Sequence, residues 1–127
     1  VTYYNDSKGT NPDSSIKALE AMTKPTLIIA GGYDKHSEFD GFIDAFGGKV
    51  KLMVLIGTTA PQIEKTARAH GFDNIINTDS LENAVQICHD NAVSGDVVLL
   101  SPACASWDMF KSYEERGRLF KEYVNRF

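Results

Sequence analysis

The chain has 127 residues, 43% of them hydrophobic, with a formal net charge of -4 and a sequence pI of about 5.3. This composition predicts one folded domain with a sizeable core, and its acidity argues against nucleic acid or an anionic membrane as the main partner. No apolar run approaches the roughly 20 residues of a membrane-spanning helix, so we expect no membrane insertion. Two cysteines, Cys88 and Cys104, form neither a disulfide framework nor a CxxC pair, which indicates reduced thiols and a cytoplasmic protein.

Strand and helix patterns alternate five times along the chain. The apolar runs predict strands at 2–5, 26–30, 50–56, 75–76 and 97–100. Helical spacing predicts helices over about 12–22, 39–46, 60–70 and 81–92, and a final helix from near Trp107 to the end. Continuous apolar strands are typical of parallel sheets covered on both faces. We therefore predict an α/β, Rossmann-like three-layer sandwich with a mostly parallel five- or six-stranded sheet, forming one domain over 1–127.

Several residues have the spacing of helix caps. Thr59 with Gln62, and Asp79 with Glu82, predict the starts of two helices. Ser106 is a candidate cap for the helix expected near Trp107. On the apolar face of the final helix, Gly117 predicts a close approach to a neighbouring element.

Three loops follow strands and are expected at the same edge of the sheet, where ligands bind in open α/β folds. They are Asp6–Asn11, Gly31–Ser37 and Ser101–Asp108. Helix N-termini at this edge favour anions, so carboxylates or phosphates are the natural ligands. The polar side chains that could converge there are Asp6, Lys8, Thr10, Lys35, His36 and Ser106.

Each of these residues also has a simpler interpretation. Lys8 and Lys35 fit solvated loop lysines, Asp6 fits a turn former, and Ser106 fits a helix cap alone. The sequence has no G-x-G-x-x-G, no P-loop and no G-x-S-x-G motif, and no histidine and carboxylate pair has metal-ligand spacing. Burial as a small apolar residue is the favoured interpretation of Cys104. The chain is therefore not expected to hold ATP phosphates alone in the P-loop manner.

Three segments together resemble the C-terminal domains of the Mur ligase family, in the branch that adds D-glutamate: Asp6–Pro12, Gly31–Phe39 and Gly95–Gly117. The resemblance covers the whole chain. It implies a three-domain, ATP-dependent ligase of cytoplasmic peptidoglycan synthesis. In such enzymes the N-terminal domain binds the UDP sugar, a central domain binds ATP and Mg²⁺, and the C-terminal domain binds the amino acid. Because the chain starts at Val1 rather than Met, we expect a fragment lacking the first two domains.

The resemblance also implies residue roles. Thr10, Lys35 and Ser106 match positions that hold the two carboxylates of D-glutamate, and Tyr113 matches a position that contacts it through the backbone. Asp6 and Lys8 match positions that reach the nucleotide when the domain closes. The sequence departs from the family pattern at Gly9, where Ala is common, at Tyr33-Asp34, and at Tyr113, where Phe is usual. With no catalytic residue or metal ligand implied in this chain alone, we expect the fragment to be inactive.

Two other hypotheses remain open. The chain could be a stand-alone Rossmann-like module that binds a small anion or a nucleotide. A weaker reading is an enzyme that depends on Cys104. Coding sequence upstream of Val1 would distinguish the ligase, whose P-loop must lie there, from the stand-alone module.

Overall fold

A computed structural model describes residues 1–34, 37–106 and 109–127. Within these ranges five strands alternate with five helices, as the sequence predicts. The elements are β1 Thr2–Asn5, α1 Pro12–Glu20, β2 Thr26–Ala30, α2 Asp40–Asp44, β3 Val50–Leu55, α3 Ala60–Ala69, β4 Ile75–Asn77, α4 Leu81–Asn91, β5 Val97–Leu100 and α5 Tyr113–Val124. None of the helices in the described part of the chain has the length and apolar character needed to cross a membrane.

The strands form one parallel sheet in the order β1-β5-β2-β3-β4. This confirms the predicted α/β class, with five strands among the described residues. Strand β5 lies between β1 and β2, and its last residue, Leu100, is paired with Asn5 on one side and Ile29 on the other. The loops that follow these three strands are therefore neighbours at the carboxyl edge of the sheet.

The core has two halves, one on each face of the sheet. Strand β2 contributes to both, because Ile28 points to the side covered by α1, α2 and α3 while Leu27 and Ile29 point to the side of α4 and α5. All five residues of β2 are buried. Burial on both faces is the physical reason why this strand is a continuous apolar run rather than an alternating one.

Two predicted helix caps are wrong in detail. The Thr59 side chain makes no capping hydrogen bond, and Gln62 Nε2 instead donates to the Ser37 carbonyl at 3.0 Å. Helix α4 is capped by Ser80, whose hydroxyl accepts from the Asn83 N–H at 3.1 Å, and not by Asp79. A hydroxyl is also a favoured cap, and Ser80 has the extended backbone that the cap position requires.

The last helix starts later than expected. It begins at Tyr113, and the Ser112 hydroxyl caps it by accepting from the Glu115 N–H at 3.2 Å. Ser106 does not cap this helix, because the helix begins only at Tyr113, directly after Ser112. The Ser106 carbonyl instead accepts from the N–H groups of Met109 and Phe110. The sequence signal for the true start was Ser112 followed three residues later by Glu115.

The predicted close approach at Gly117 is confirmed. A Cβ atom at this position would lie 3.1 Å from Ser7 Cβ and 3.3 Å from Asn5 Oδ1. The Asn5 side chain uses the space to donate to the Gly117 carbonyl at 2.8 Å. Gly117 thus lets α5 pack directly on the end of β1.

Candidate functional site

The loops after β1 and β5 are joined at the carboxyl edge of the sheet. Ser101, the residue after β5, is fully buried, and its hydroxyl donates to Asp6 Oδ2 at 2.7 Å. The same hydroxyl lies 2.8 Å from the hydroxyl of Ser15 on α1. The Asp6 N–H donates to the Leu100 carbonyl at 2.7 Å. Both the backbone and the carboxylate of Asp6 are therefore held in a fixed orientation.

Gly9 lies against this carboxylate. A Cβ atom at Gly9 would be 2.7 Å from Asp6 Oδ2 and 3.1 Å from Ser15 Oγ. Contacts under 3.0 Å require a shift of one of the groups, so the present position of the Asp6 carboxylate depends on the absence of a side chain at Gly9.

A buried arginine, whose role the sequence motifs do not predict, joins the loops after β1 and β5. Arg116 on α5 is 1% exposed. Its Nη2 donates to the Ser7 carbonyl at 2.6 Å, its Nε to the Ser7 hydroxyl at 3.0 Å, and its Nη1 to the Cys104 carbonyl at 3.0 Å. Arginine is suited to such a contact because its planar group carries several donors in a fixed arrangement. The spacing of Arg116 from Tyr113 and Phe120 puts it on the apolar helix face, and this signal could have indicated its burial.

The loop after β2 is joined by backbone hydrogen bonds to the loop after β5. Tyr33 and Ala105 form an antiparallel bridge, with each N–H donating to the other carbonyl at 2.8 and 2.9 Å. The Gly31 N–H donates to the Pro102 carbonyl at 2.9 Å. Gly32 has a φ of +148°, and a Cβ atom there would lie 2.4 Å from the Ala105 carbonyl oxygen. Glycine is required for this close approach.

The described residues of the three loops thus meet at one edge of the sheet, as predicted. Two of the predicted side chains, Lys35 and His36, lie outside the described residues, as do Trp107 and Asp108. Asp34, just before Lys35, accepts hydrogen bonds from the N–H and hydroxyl of Ser37 at 2.6 and 2.5 Å.

The other candidate residues lie at this edge in different environments. Ser106 is 2% exposed and directly follows the bridge residue Ala105. Thr10 is half-buried, and its N–H donates to the Lys8 carbonyl at 2.8 Å. Lys8 and Tyr113 line one open groove of about 480 Å³ together with Arg118 and Lys121. The structure therefore brings Lys8 next to Tyr113, whereas neither Thr10 nor Ser106 lines that groove.

Tyr113 is engaged through its main chain and its phenol. The Tyr113 carbonyl accepts from the Ser7 hydroxyl at 2.6 Å. A hydrogen bond between the phenol and the Glu114 carboxylate raises the pKa of Tyr113 and lowers the pKa of Glu114. Because Tyr113 is the first residue of α5, its N–H is one of the groups that have no partner within the helix.

Both cysteines are buried in the core. Cys104 is fully buried, as predicted, and its Sγ lies 3.3 Å from Thr59 Oγ1. Cys88 is also fully buried, and desolvation raises the pKa of its thiol to about 12. The described residues contain no group of three or more His, Cys, Asp or Glu side chains that could hold a metal ion.

Comparisons with known proteins give a consistent picture. The family model described as "Mur ligase, glutamate ligase domain" matches residues 1–104. The UDP-N-acetylmuramoylalanine--D-glutamate ligase of Lachnospira eligens is 63% identical over 125 residues, covering 98% of this chain and 28% of the relative. The enzyme of the same name from Thermoanaerobacter sp. strain X514 is 59% identical over 126 residues, with the same coverage. The chain thus spans little more than a quarter of the length of these relatives.

Two solved structures share the fold at low sequence identity. The UDP-N-acetylmuramate-alanine ligase MurC of Thermotoga maritima has a TM-score of 0.57 at 14% identity, covering 91% of this chain and 25% of its own. The E. coli FolC structure in complex with ADP has a TM-score of 0.60 at 16% identity, covering 93% of this chain and 28% of its own. At such identities the likeness shows the fold alone.

Proposed function

The chain belongs to the Mur ligase family as a glutamate ligase domain, and we propose that it is the D-glutamate-binding, closing domain of an ATP-dependent ligase. The enzyme would join D-glutamate to UDP-N-acetylmuramoyl-L-alanine in cytoplasmic peptidoglycan synthesis. The observation that carries this proposal is the joining of the loops after β1, β2 and β5 at one sheet edge. A dicarboxylate needs donors at both of its ends, and several loops held together are able to supply them.

The proposed reaction has two steps. ATP transfers its γ-phosphoryl group to the alanine carboxylate, giving an acyl phosphate and ADP. The amine of D-glutamate then attacks the acyl carbonyl, and the tetrahedral intermediate expels phosphate and loses a proton from nitrogen to give the amide. This chain contributes by holding the amine beside the acyl phosphate. Such positioning is worth up to about 7–11 kcal/mol of the barrier.

We assign the D-glutamate carboxylates to Thr10, Lys35 and Ser106. Ser106 lies directly after the bridge that joins the loops after β2 and β5, and its assignment to the substrate rests on the sequence resemblance. The role of Lys35 rests on the sequence resemblance alone. At Tyr113 the carbonyl is already bound to Ser7, so the N–H at the start of α5 is the backbone group left to meet an anionic substrate. Since the phenol contacts Glu114, the change from Phe to Tyr leaves this backbone contact intact.

Asp6 and Lys8 are assigned to the nucleotide upon domain closure. The Asp6 carboxylate is oriented by Ser101, and the Lys8 side chain is exposed at the neighbouring groove. These groups fit a contact to a nucleotide from one side. When bound, ATP supplies the phosphoryl group that activates the carboxylate. Following the resemblance of the sequence to three-domain ligases, we place ATP and Mg²⁺ mainly on the central domain of the intact enzyme.

The stand-alone anion-binding or nucleotide-binding module has less support. A relative that is 63% identical over 98% of this chain carries the name of a D-glutamate ligase.

The test is a product assay on the intact protein that contains this chain. We expect ADP release that requires both UDP-N-acetylmuramoyl-L-alanine and D-glutamate, and we expect none from the 127-residue chain alone. L-Glutamate is the matched control for the substrate. Equal turnover with L-glutamate, or ADP release that does not depend on the amino acid, would contradict the proposal.

A further inference from the structure

Gly32, in the loop after β2, is held by two consecutive threonines of the loop between β3 and α3. The Gly32 N–H donates to the Thr59 hydroxyl at 3.1 Å. The Gly32 carbonyl lies within hydrogen-bond distance of three donors: the Thr59 N–H at 3.1 Å, the Thr59 hydroxyl at 3.0 Å and the Thr58 hydroxyl at 3.0 Å. Both polar groups of one glycine are thereby bound from the same side.

Thr59 is built into the core of the domain. It is 4% exposed, and its hydroxyl also lies 3.3 Å from Cys104 Sγ in the loop after β5. A buried N–H that loses its acceptor destabilises the position in which it was held. The Thr59 hydroxyl supplies that acceptor to Gly32, which puts it at the junction of the loops after β2, β3 and β5.

The position of Gly32 affects the position of Ser106, which we assign to the substrate. Gly32 packs so closely on Ala105 that even a Cβ atom would not fit between them. The next residue, Tyr33, forms the antiparallel bridge with Ala105. Ser106 follows Ala105 in the chain and is buried beside this bridge. A shift of Gly32 would therefore move the bridge and Ser106 with it.

We infer that Thr59 is a positioning residue of the D-glutamate site, which holds the Gly32 peptide and through the Tyr33–Ala105 bridge sets the placement of Ser106. This inference rests on the proposed function. Thr59 acts through other residues and is not assigned to touch the substrate. Its hydroxyl is the functional group, so serine can replace it and valine cannot.

The experiment compares three variants of the intact ligase: Thr59→Val, Thr59→Ser and Thr26→Val. Thr26 is the matched control because it is also a buried threonine whose hydroxyl binds a backbone carbonyl, that of Lys24 at 2.9 Å, but it lies at the opposite end of β2. We expect Thr59→Val to raise the KM for D-glutamate about tenfold, with the KM for ATP within about twofold of wild type. Thr59→Ser should restore a near wild-type KM, and Thr26→Val should leave it unchanged.

The outcomes separate this inference from the proposed function. If the wild-type ligase turns over with D-glutamate and Thr59→Val has the same KM as Thr26→Val, the positioning role is wrong and the proposed function stands. A rise in KM that Thr59→Ser does not rescue also overturns the role of the hydroxyl. If the wild-type protein shows no turnover that depends on D-glutamate, the proposed function fails and this inference fails with it.

Discussion

Arg116 donates hydrogen bonds to both the carbonyl and the hydroxyl of Ser7, at 2.6 and 3.0 Å, although the two residues are 109 positions apart in the chain. A third bond reaches the Cys104 carbonyl. Helix α5 is thereby attached to the loops after β1 and β5, two of the three loops of the proposed site. The same helix supplies Tyr113. The position of the first turn of α5 therefore depends on Arg116, which does not line the groove formed by Lys8 and Tyr113.

We predict that Arg116→Lys destabilises the chain by at least about 2 kcal/mol, since a lysine cannot donate to three acceptors in this geometry and leaves buried acceptors unsatisfied. Urea unfolding of the 127-residue chain measures the change. Arg118→Lys is the control, because Arg118 lies two residues later on the same helix with an exposed ion pair to Glu122, and should cost less than about 0.5 kcal/mol. Equal decreases in the free energy of unfolding of the two variants would show that the buried hydrogen bonds of Arg116 add no stability.

The oriented carboxylate of Asp6 leads to a prediction for catalysis. In the intact ligase, Asp6→Asn should lower kcat/KM for ATP about tenfold or more, because it removes a negative charge held by Ser101 at the edge assigned to the nucleotide. The KM for D-glutamate should stay within about twofold, as measured by steady-state kinetics with each substrate varied. Asp13→Asn, an exposed change in the first turn of α1, is the control. A change confined to the KM for D-glutamate would contradict the assignment of Asp6 to the nucleotide.

His70 at the end of α3 links two carboxylates of α2 and predicts a pH dependence. Its Nε2 lies 2.7 Å from Asp40 Oδ1 and its Nδ1 lies 3.0 Å from Asp44 Oδ1. The hydrogen bond to Asp40 is the main reason why the pKa of His70 lies above its usual value. Burial opposes this rise, and the hydrogen bond to Asp44 and the charges of both carboxylates add to it. A folded-state pKa above the unfolded one adds stability that is full below the unfolded pKa of about 6.5 and is lost as pH rises through the folded pKa.

His70→Gln should therefore lose the part of the stability that declines as the pH rises from about 6 through the folded-state pKa of His70. Urea midpoints of wild type and variant, measured across this range, check the prediction. The difference between the two proteins should be largest at the acidic end and should shrink toward the alkaline end. A difference that is constant with pH would mean that protonation of His70 is not linked to folding.

The two thiols should be unreactive in the folded chain. Cys88 and Cys104 are fully buried, and burial raises the pKa of Cys88 to about 12, so little thiolate forms near neutral pH. Thiol titration with Ellman's reagent at about pH 8 should detect neither cysteine until urea unfolds the chain. Ser94→Cys, which adds an exposed thiol, is the positive control. Rapid reaction of Cys104 in the folded protein would revive the hypothesis of a cysteine-dependent enzyme.

The sequence alone determined the order of the elements and the edge of the sheet that carries the polar loops. Both follow from local properties: strands covered on two faces are continuous apolar runs, and parallel strands end at the same edge. The predicted bounds of β2 and β5 agree with the structure residue by residue, and the close approach at Gly117 was predicted correctly.

Tertiary structure alone decided which side chains hold the site together. Thr59 has the sequence spacing of a helix cap, yet its hydroxyl binds Gly32, because a neighbouring loop offers it a buried N–H. In the sequence, Arg116 is one of several charged residues on a helix. It is buried because Ser7 and Cys104 supply acceptors for its guanidinium group. Local patterns report how a residue relates to its own helix or strand. These contacts depend instead on residues from 12 to 109 positions away, which meet only when the sheet is assembled.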